Sequence, residues 1–220
     1  MAYQWDWSAL WDNFFILLSG ISTTVLAALA SMVGALVLGL PVALIRLSRW
    51  RVAWIAYLYI EMFRNLPLLV LVLWVFIVLP LITGVALDPF TCGVLALTLN
   101  LAAFVAEIYR AGITSIGGGQ THAALALGMT RPQLYRRIIL PQAIARVLPA
   151  LGSVWVSLFK DTSILSVIGV AELMYQGRVV ATDTYRPLEI FTGVAVLYYI
   201  LAYPQALGVN WVFEKYRVRE

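Results

Sequence analysis

Ile21-Ser-Thr-Thr-Val-Leu-Ala-Ala-Leu-Ala-Ser-Met-Val-Gly-Ala-Leu-Val-Leu-Gly-Leu-Pro-Val-Ala-Leu-Ile45 contains no charged side chain and ends at Arg46-Leu-Ser-Arg49-Trp-Arg51. A helix needs about 20 apolar residues to cross a hydrocarbon core about 30 Å thick, so this stretch predicts a membrane span. Ser22, Ala27, Ala28, Ala30, Ser31, Gly34 and Gly39 along it suit close packing against another helix. The rest of the chain agrees: of 220 residues, 62% are hydrophobic and 12% charged, with a mean hydropathy of +0.89. A soluble domain carries roughly 25% charged residues, and one of this length could not hide so much apolar surface.

Outward from that span, residues 1–20 read as an amphipathic lead at the membrane interface, because Trp5, Trp7 and Trp11 alternate with Asp6 and Asp12. It lacks the positive n-region of a cleaved signal peptide and is expected in the mature chain. A second span is expected over 53–79, holding Glu61, Arg64, Asn65 and Pro67, with Pro80 beyond it. Asp88 and Pro89 open a third over 90–108, and Arg110 closes it. Residues 114–146 lean polar and belong in water. A fourth span over 147–170 is interrupted by Lys160-Asp-Thr-Ser163, and a fifth over 190–213 precedes a short tail, 214–220. Long aliphatic runs flanked by charge disfavour a β-barrel. The expected fold is all-α, a polytopic membrane protein of about five spans, with residues 21–213 forming the membrane domain.

Ten of the 15 basic residues fall on one side: Arg46, Arg49 and Arg51; Arg131, Arg136, Arg137 and Arg146; Lys215, Arg217 and Arg219. The opposite loops hold Arg178 and Arg186 among Asp6, Asp12, Asp88, Glu172, Asp183 and Glu189. The positive-inside rule then places the N-terminus outside and the long loop and C-terminus in the cytoplasm, in a membrane expected to be a bacterial inner membrane. The net charge of +4 is spent on sidedness, and no nucleic-acid partner is expected.

Gly119-Gln-Thr-His-Ala-Ala-Leu-Ala-Leu-Gly-Met-Thr130 reads as two helical turns, with Thr121 as the N-cap and Gly128 as the stop. Arg131-Pro132, a second helical stretch over 133–139 and Pro141 follow, making a helix-turn-helix knob able to fit a partner's groove. His122-Ala-Ala124, Gly128 and Ile139-Leu-Pro141 together resemble the EAA-loop signature of permease subunits in ATP-driven import systems. Leu17-Leu-Ser-Gly20, Phe63-Arg-Asn-Leu-Pro67, Ala106-Glu-Ile-Tyr-Arg-Ala-Gly112, Ala126-Leu-Gly-Met129 and Lys160-Asp-Thr-Ser163 extend the likeness nearly end to end. The set resembles the polar amino acid permeases of the histidine/glutamine/glutamate type. Phe63–Pro67 and Ala123–Met129 look closest to glutamate/aspartate permeases.

The resemblance implies a type I ABC importer permease fold whose coupling helix docks a cytoplasmic ATPase through His122, Ala123, Ala124, Leu127, Gly128 and Met129. His122 stands where the family usually has glutamate, so any ion pair of that glutamate is missing. The implied partners are a second permease, homologous or identical, a homodimeric ATP-binding subunit, and a periplasmic or extracellular amino-acid-binding protein. ATP and Mg would sit on the ATPase, and no cofactor is expected here. Gly117-Gly-Gly119 is not followed by Gly-Lys-Ser/Thr, so it is no phosphate loop.

Ionisable groups inside spans cost about 2.5–3.5 kcal/mol each on insertion scales, and so mark a cavity or a partner charge. Glu61/Arg64 and Glu107/Arg110 are each spaced to pair along a helix, or to line a path. Lys160, Asp161, Thr162 and Ser163 combine a cation, an anion and two hydroxyls, which suits a zwitterionic amino acid; mutual pairing and partner contacts are the alternatives. Asn65 and Pro67 mark a gate kink or an ordinary bend. Cys92 is expected as a buried apolar filler, and with His122 the sole histidine, no multi-ligand metal site is available. An intramembrane enzyme would need more catalytic groups in the spans than these, and a secondary carrier would be expected to show inverted repeats. The sequence therefore points to a transport subunit for polar amino acids, glutamate or aspartate first and glutamine, histidine or arginine as the alternative.

Overall fold

The computed structural model describes residues 3–48 and 50–216. Arg49 and residues 217–220, including Arg217 and Arg219 of the expected tail, lie outside the described residues. Eleven α-helices follow in order: α1 (Ser8–Asp12), α2 (Phe14–Leu47), α3 (Ala53–Asn65), α4 (Leu68–Leu73), α5 (Leu79–Thr83), α6 (Pro89–Thr114), α7 (Gly118–Ala126), α8 (Arg131–Leu134), α9 (Leu140–Asp161), α10 (Leu173–Thr184) and α11 (Pro187–Tyr216). π-helical turns at Trp74–Val78 and Tyr135–Ile139 and a 3-10 stretch at Thr162–Ile168 join some of them, and no strand occurs among the described residues. Four helical stretches are long and apolar enough to span a membrane, and a bent pair makes a fifth.

The boundaries move where hydropathy and hydrogen bonding disagree. The first span starts at Phe14 rather than Ile21, because Phe14-Phe-Ile-Leu-Leu18 extends the apolar run back to Asn13 across only Ser19 and Gly20. The second is broken: α3 and the stretch Leu68–Thr83 meet at 106° around Leu66 and Pro67. Proline removes a donor and pushes the residue before it out of helical geometry, and Leu66 is extended with ψ 129°. The third runs on to Thr114, and Asp88 caps it by accepting from the Thr91 backbone at 3.1 Å. In the fourth, helix continues from Arg131 through the π turn to Ile168, so the polar-leaning residues 131–146 and the apolar stretch after them form one continuous helical rod.

α2 and α6 are the central pair. Ala27, Ala28 and Ala35 meet Ala96, Ala102 and Val105 in a core without exposure above 6% for Leu101, while Gly34 and Gly39 bring α2 against Thr98 and Val105. Cys92 is buried in this core, as expected. A second cluster of Leu17, Leu173, Val180, Ile190 and Val194 ties the start of α2 to α10 and α11. The N-terminal lead is clasped onto α11, where Tyr3 Oη and the Asp6 backbone N–H donate to Glu189 and Arg186 Nη1 donates to the Gln4 carbonyl at 2.8 Å. The Ser8 hydroxyl and backbone N–H hold the Asp6 carboxyl below its usual range. Glu189, read from the sequence as a loop acid, is therefore fully buried beneath the lead.

Candidate functional site

α7 forms the knob. Its N-cap is Gly117 rather than Thr121, which sits inside the helix, and its end is closed by Leu127 N–H to Ala123 O, Gly128 N–H to Leu125 O and Met129 N–H to Ala124 O. Gly128 adopts φ 78°, the left-handed conformation that terminates helices most cheaply with glycine. Thr130 and Gln133 form a capping box that starts α8. Ala124 turns inward with Leu134 and Ile139, backed by Met129. His122, Ala123 and Gly128 are exposed, and Leu127 reaches 83% exposure. Gln142 Nε2 donates to Gln120 Oε1 at 2.6 Å, and Arg146 donates to Ser115, so the knob is buttressed by the spanning rod. The six residues expected to couple thus divide: Ala124 and Met129 seat the helix, and the other four form its outer surface.

The polar segment of the fourth span sits where α9 tightens into the 3-10 stretch. Lys160 is exposed, Asp161 and Ser163 are half-buried, and Thr162 is fully buried. Despite the change in helix type, Lys160 and Asp161 form no ion pair within 4 Å among the described residues. The hydroxyls of Thr162 and Ser163 donate to the carbonyls of Phe159 at 2.7 Å and Lys160 at 2.6 Å. The 3-10 stretch packs against α4, just beyond Pro67, so the broken second span and the polar segment are neighbours.

Glu107 and Arg110 pair as their spacing predicts, through two bonds of 2.6 and 2.9 Å. Arg64 and Arg46 also act on the Glu107 charge. The expected Glu61–Arg64 pair does not form: Asn65 Nδ2 donates to the Glu61 carboxylate at 3.2 Å, and Arg64 lies 5.4 Å over the Phe104 ring. Glu61, Arg64, Asn65 and Pro67 are all exposed on the broken span. Asn100 of α6 donates to the Phe63 carbonyl at 2.7 Å, satisfying an acceptor released at the end of α3.

One buried polar node escaped the sequence reading. Glu172, assigned to an outer loop, is fully buried at the start of α10. Its Oε1 accepts from the Tyr175 backbone N–H at 2.7 Å and its Oε2 from Tyr198 Oη at 2.6 Å. Thr24 Oγ1 accepts from the Leu173 N–H at 3.1 Å. Burial pushes the Glu172 carboxyl above its ordinary value, against the opposing pull of the tyrosine and backbone donors. The signal available in the sequence was weak, an acid just before an apolar run, since glutamate is not a preferred N-cap.

Residues 35–204 match the family described as binding-protein-dependent transport system inner membrane component. The chain is 39% identical over 206 residues to the probable glutamine ABC transporter permease protein GlnM of Bacillus subtilis, covering 93% of this chain and 95% of that one. It is 39% identical to the glutamine transport system permease protein GlnP of Escherichia coli, with 90% and 91% covered. Its fold superposes on a solved amino acid ABC transporter, crystallised with histidines, at a TM-score of 0.92 and 33% identity, covering 97% of this chain and 100% of that one. The inward-facing MetNI methionine ABC transporter shares the fold at a TM-score of 0.78 and 22% identity. With a broken-span helical core, a glycine-stopped surface knob and relatives matched nearly end to end, the chain belongs to the binding-protein-dependent transport system inner membrane components, as its motifs implied.

Proposed function

We propose that the chain forms half of the translocation path of an ATP-driven importer for a polar amino acid. The observation that carries this is Lys160: an exposed ammonium in a spanning helix, beside a half-buried carboxylate with which it does not pair. Facing lipid, each such group costs about 2.5–3.5 kcal/mol, so this face belongs against a second permease and the aqueous path between them. There Lys160 would meet a substrate carboxylate and Asp161 a substrate ammonium. Glu107, Arg64, Asn65 and the Pro67 break would line or gate the cytoplasmic half. His122, Ala123, Leu127 and Gly128 would dock the ATPase, with Ala124 and Met129 holding the docking helix in place; the chain has no nucleotide-binding loop of its own. The N-terminus would lie outside, where a binding protein delivers substrate, and two ATPase subunits would drive the pair.

Among polar amino acids, the glutamine permeases at 39% identity favour glutamine. Glutamate or aspartate is the second reading, favoured by Phe63–Pro67 and Ala123–Met129. ATP-dependent uptake of labelled glutamine, glutamate, aspartate, arginine and histidine by the complete importer in proteoliposomes tests both. Glutamine uptake that excess glutamate fails to inhibit would exclude the acidic reading. Uptake driven by an ion gradient without ATP would exclude an importer of this kind.

A further inference from the structure

Tyr199 stands at the middle of the fifth span, twelve residues from either end of Pro187–Trp211, and Tyr203 follows about one turn later. Their rings stack with centroids 5.2 Å apart, and both face outward, at 63% and 48% exposure. Neither hydroxyl bonds to any of the described residues. Tyrosine suits the membrane interface, where its hydroxyl reaches water. At mid-depth, hydrocarbon offers that hydroxyl no partner, so lipid is a poor covering for this pair. Pro204 adds to the demand: it has no N–H, and the Ile200 carbonyl loses its helical partner at the same depth.

α9 and α11 touch at Gly152, where a Cβ would stand 2.7 Å from the Val209 side chain. Glu172, beyond the end of the fourth span, meets Tyr198, so the two helices run in opposite directions. The eight residues from Gly152 to Lys160 match the eight from Val209 back to Leu201, which places Lys160 level with the gap between Tyr199 and Tyr203. At about 100° per residue, Ser153, Ser157 and Lys160 lie about 80–140° round α9 from the contact, and Tyr199 and Tyr203 about 80–120° round α11. In oppositely directed helices, equal turns lead to the same side of the pair. These five residues therefore share one face, and all five are exposed. The opposite side is occupied: Ile190, Val194 and Leu197 of α11 are buried there, and Trp155 of α9 and Gln205 of α11 share a groove with Met32 of α2.

A phenol hydroxyl can donate and accept, and in this pair both capacities are uncommitted. With Lys160 on the substrate carboxylate and Asp161 on its ammonium, the substrate side chain still lacks a partner. A side-chain amide presents both a donor and an acceptor, and two hydroxyls one turn apart match it in kind. A side-chain carboxylate would use only the donors and bring a second negative charge with no cation left for it.

We infer that Tyr199 and Tyr203 line the transport path beside Lys160 and hydrogen-bond the side chain of the transported amino acid, selecting for an amide. The inference rests on the reading of Lys160 as part of that path, and it adds the groups that read the substrate's side chain.

The test uses the complete importer in proteoliposomes, with labelled glutamine and glutamate as probes. Cys92 is buried, so the variants K160C, Y199C, Y203C and I200C report through a small charged methanethiosulfonate, read by the mass of this chain. K160C, Y199C and Y203C are expected to react at least about tenfold faster than I200C, whose side chain points away from α9. Y199F/Y203F is expected to lower glutamine uptake, and the preference for glutamine over glutamate, about tenfold, the order of losing one or two neutral hydrogen bonds, while the complex still co-purifies intact. Wild-type uptake and preference in Y199F/Y203F, or loss of uptake together with the complex, would overturn the role of the tyrosines. So would Y199C and Y203C no more reactive than I200C while K160C reacts, or a wild type that takes up glutamate in preference to glutamine. An unreactive K160C would instead remove the path reading beneath the inference.

Discussion

Gly20 sets how closely the first span approaches the backbone that follows the 3-10 stretch. The contact is to backbone atoms at 2.8 Å, which cannot rotate aside as a side chain can. Gly20→Val is therefore expected to destabilise the protein by about 1–3 kcal/mol, seen as a lower melting temperature of the detergent-solubilised chain. Gly128 carries a different constraint, since its surroundings are open but its φ of 78° is not available to other residues without strain. Gly128→Ala should cost about 1–2 kcal/mol while leaving docking intact. Gly128→Asp should also abolish co-purification of the ATPase, because it adds a charge to a close interface; full transport in that variant would show that docking lies elsewhere. At this scale the sequence was readable where partners are local. Glu107 and Arg110 lie three apart on one helix and pair as expected, but Glu61 and Arg64 have the same spacing and do not. Asn65 and the Phe104 ring are better placed for them, and the ring comes from another span. Glu172 and Glu189 were invisible for the same reason: Tyr198, Tyr3 and Asp6 reach them across 26 to 186 residues of chain.

Among the elements, the broken second span shows how a bilayer protein tolerates a sharp bend. Breaking a helix frees carbonyls that lipid cannot satisfy, and one of these, on Phe63, is taken up by Asn100 from the neighbouring span. Asn100→Leu should leave that carbonyl unpaired and cost about 1–3 kcal/mol, measured as a drop in melting temperature without a change in the amount inserted. The proline was readable as a break, but neither the 106° angle nor the asparagine that makes it tolerable was. The knob was readable in outline, since Gly128, Thr130 and Pro132 are strong local punctuation. Its continuity with the fourth span was not, because Arg136 and Arg137 suggest water while the backbone continues through a π turn beneath them.

Across the whole molecule, the Trp-rich lead and the knob are the two places where the proposed sidedness can be tested. Cys92 is buried, so introduced thiols report cleanly. Trp5→Cys should react with a membrane-impermeant maleimide in intact cells, and Leu127→Cys only after permeabilisation; the reverse pattern would invert the proposed orientation. Hydropathy was enough to count the spans, because it depends on composition summed over a helix. The rod that carries the knob into the membrane adds something that composition could not show. It is underwound at Tyr135–Ile139 and overwound at Thr162–Ile168. A 3-10 residue turns about 20° further than an α residue and rises about 0.5 Å more, so relaxing seven of them to α geometry would unscrew the outer end by about 140° and shorten it by about 3.5 Å. A thrust on the knob, passed along such a rod, would emerge near Lys160 as torque.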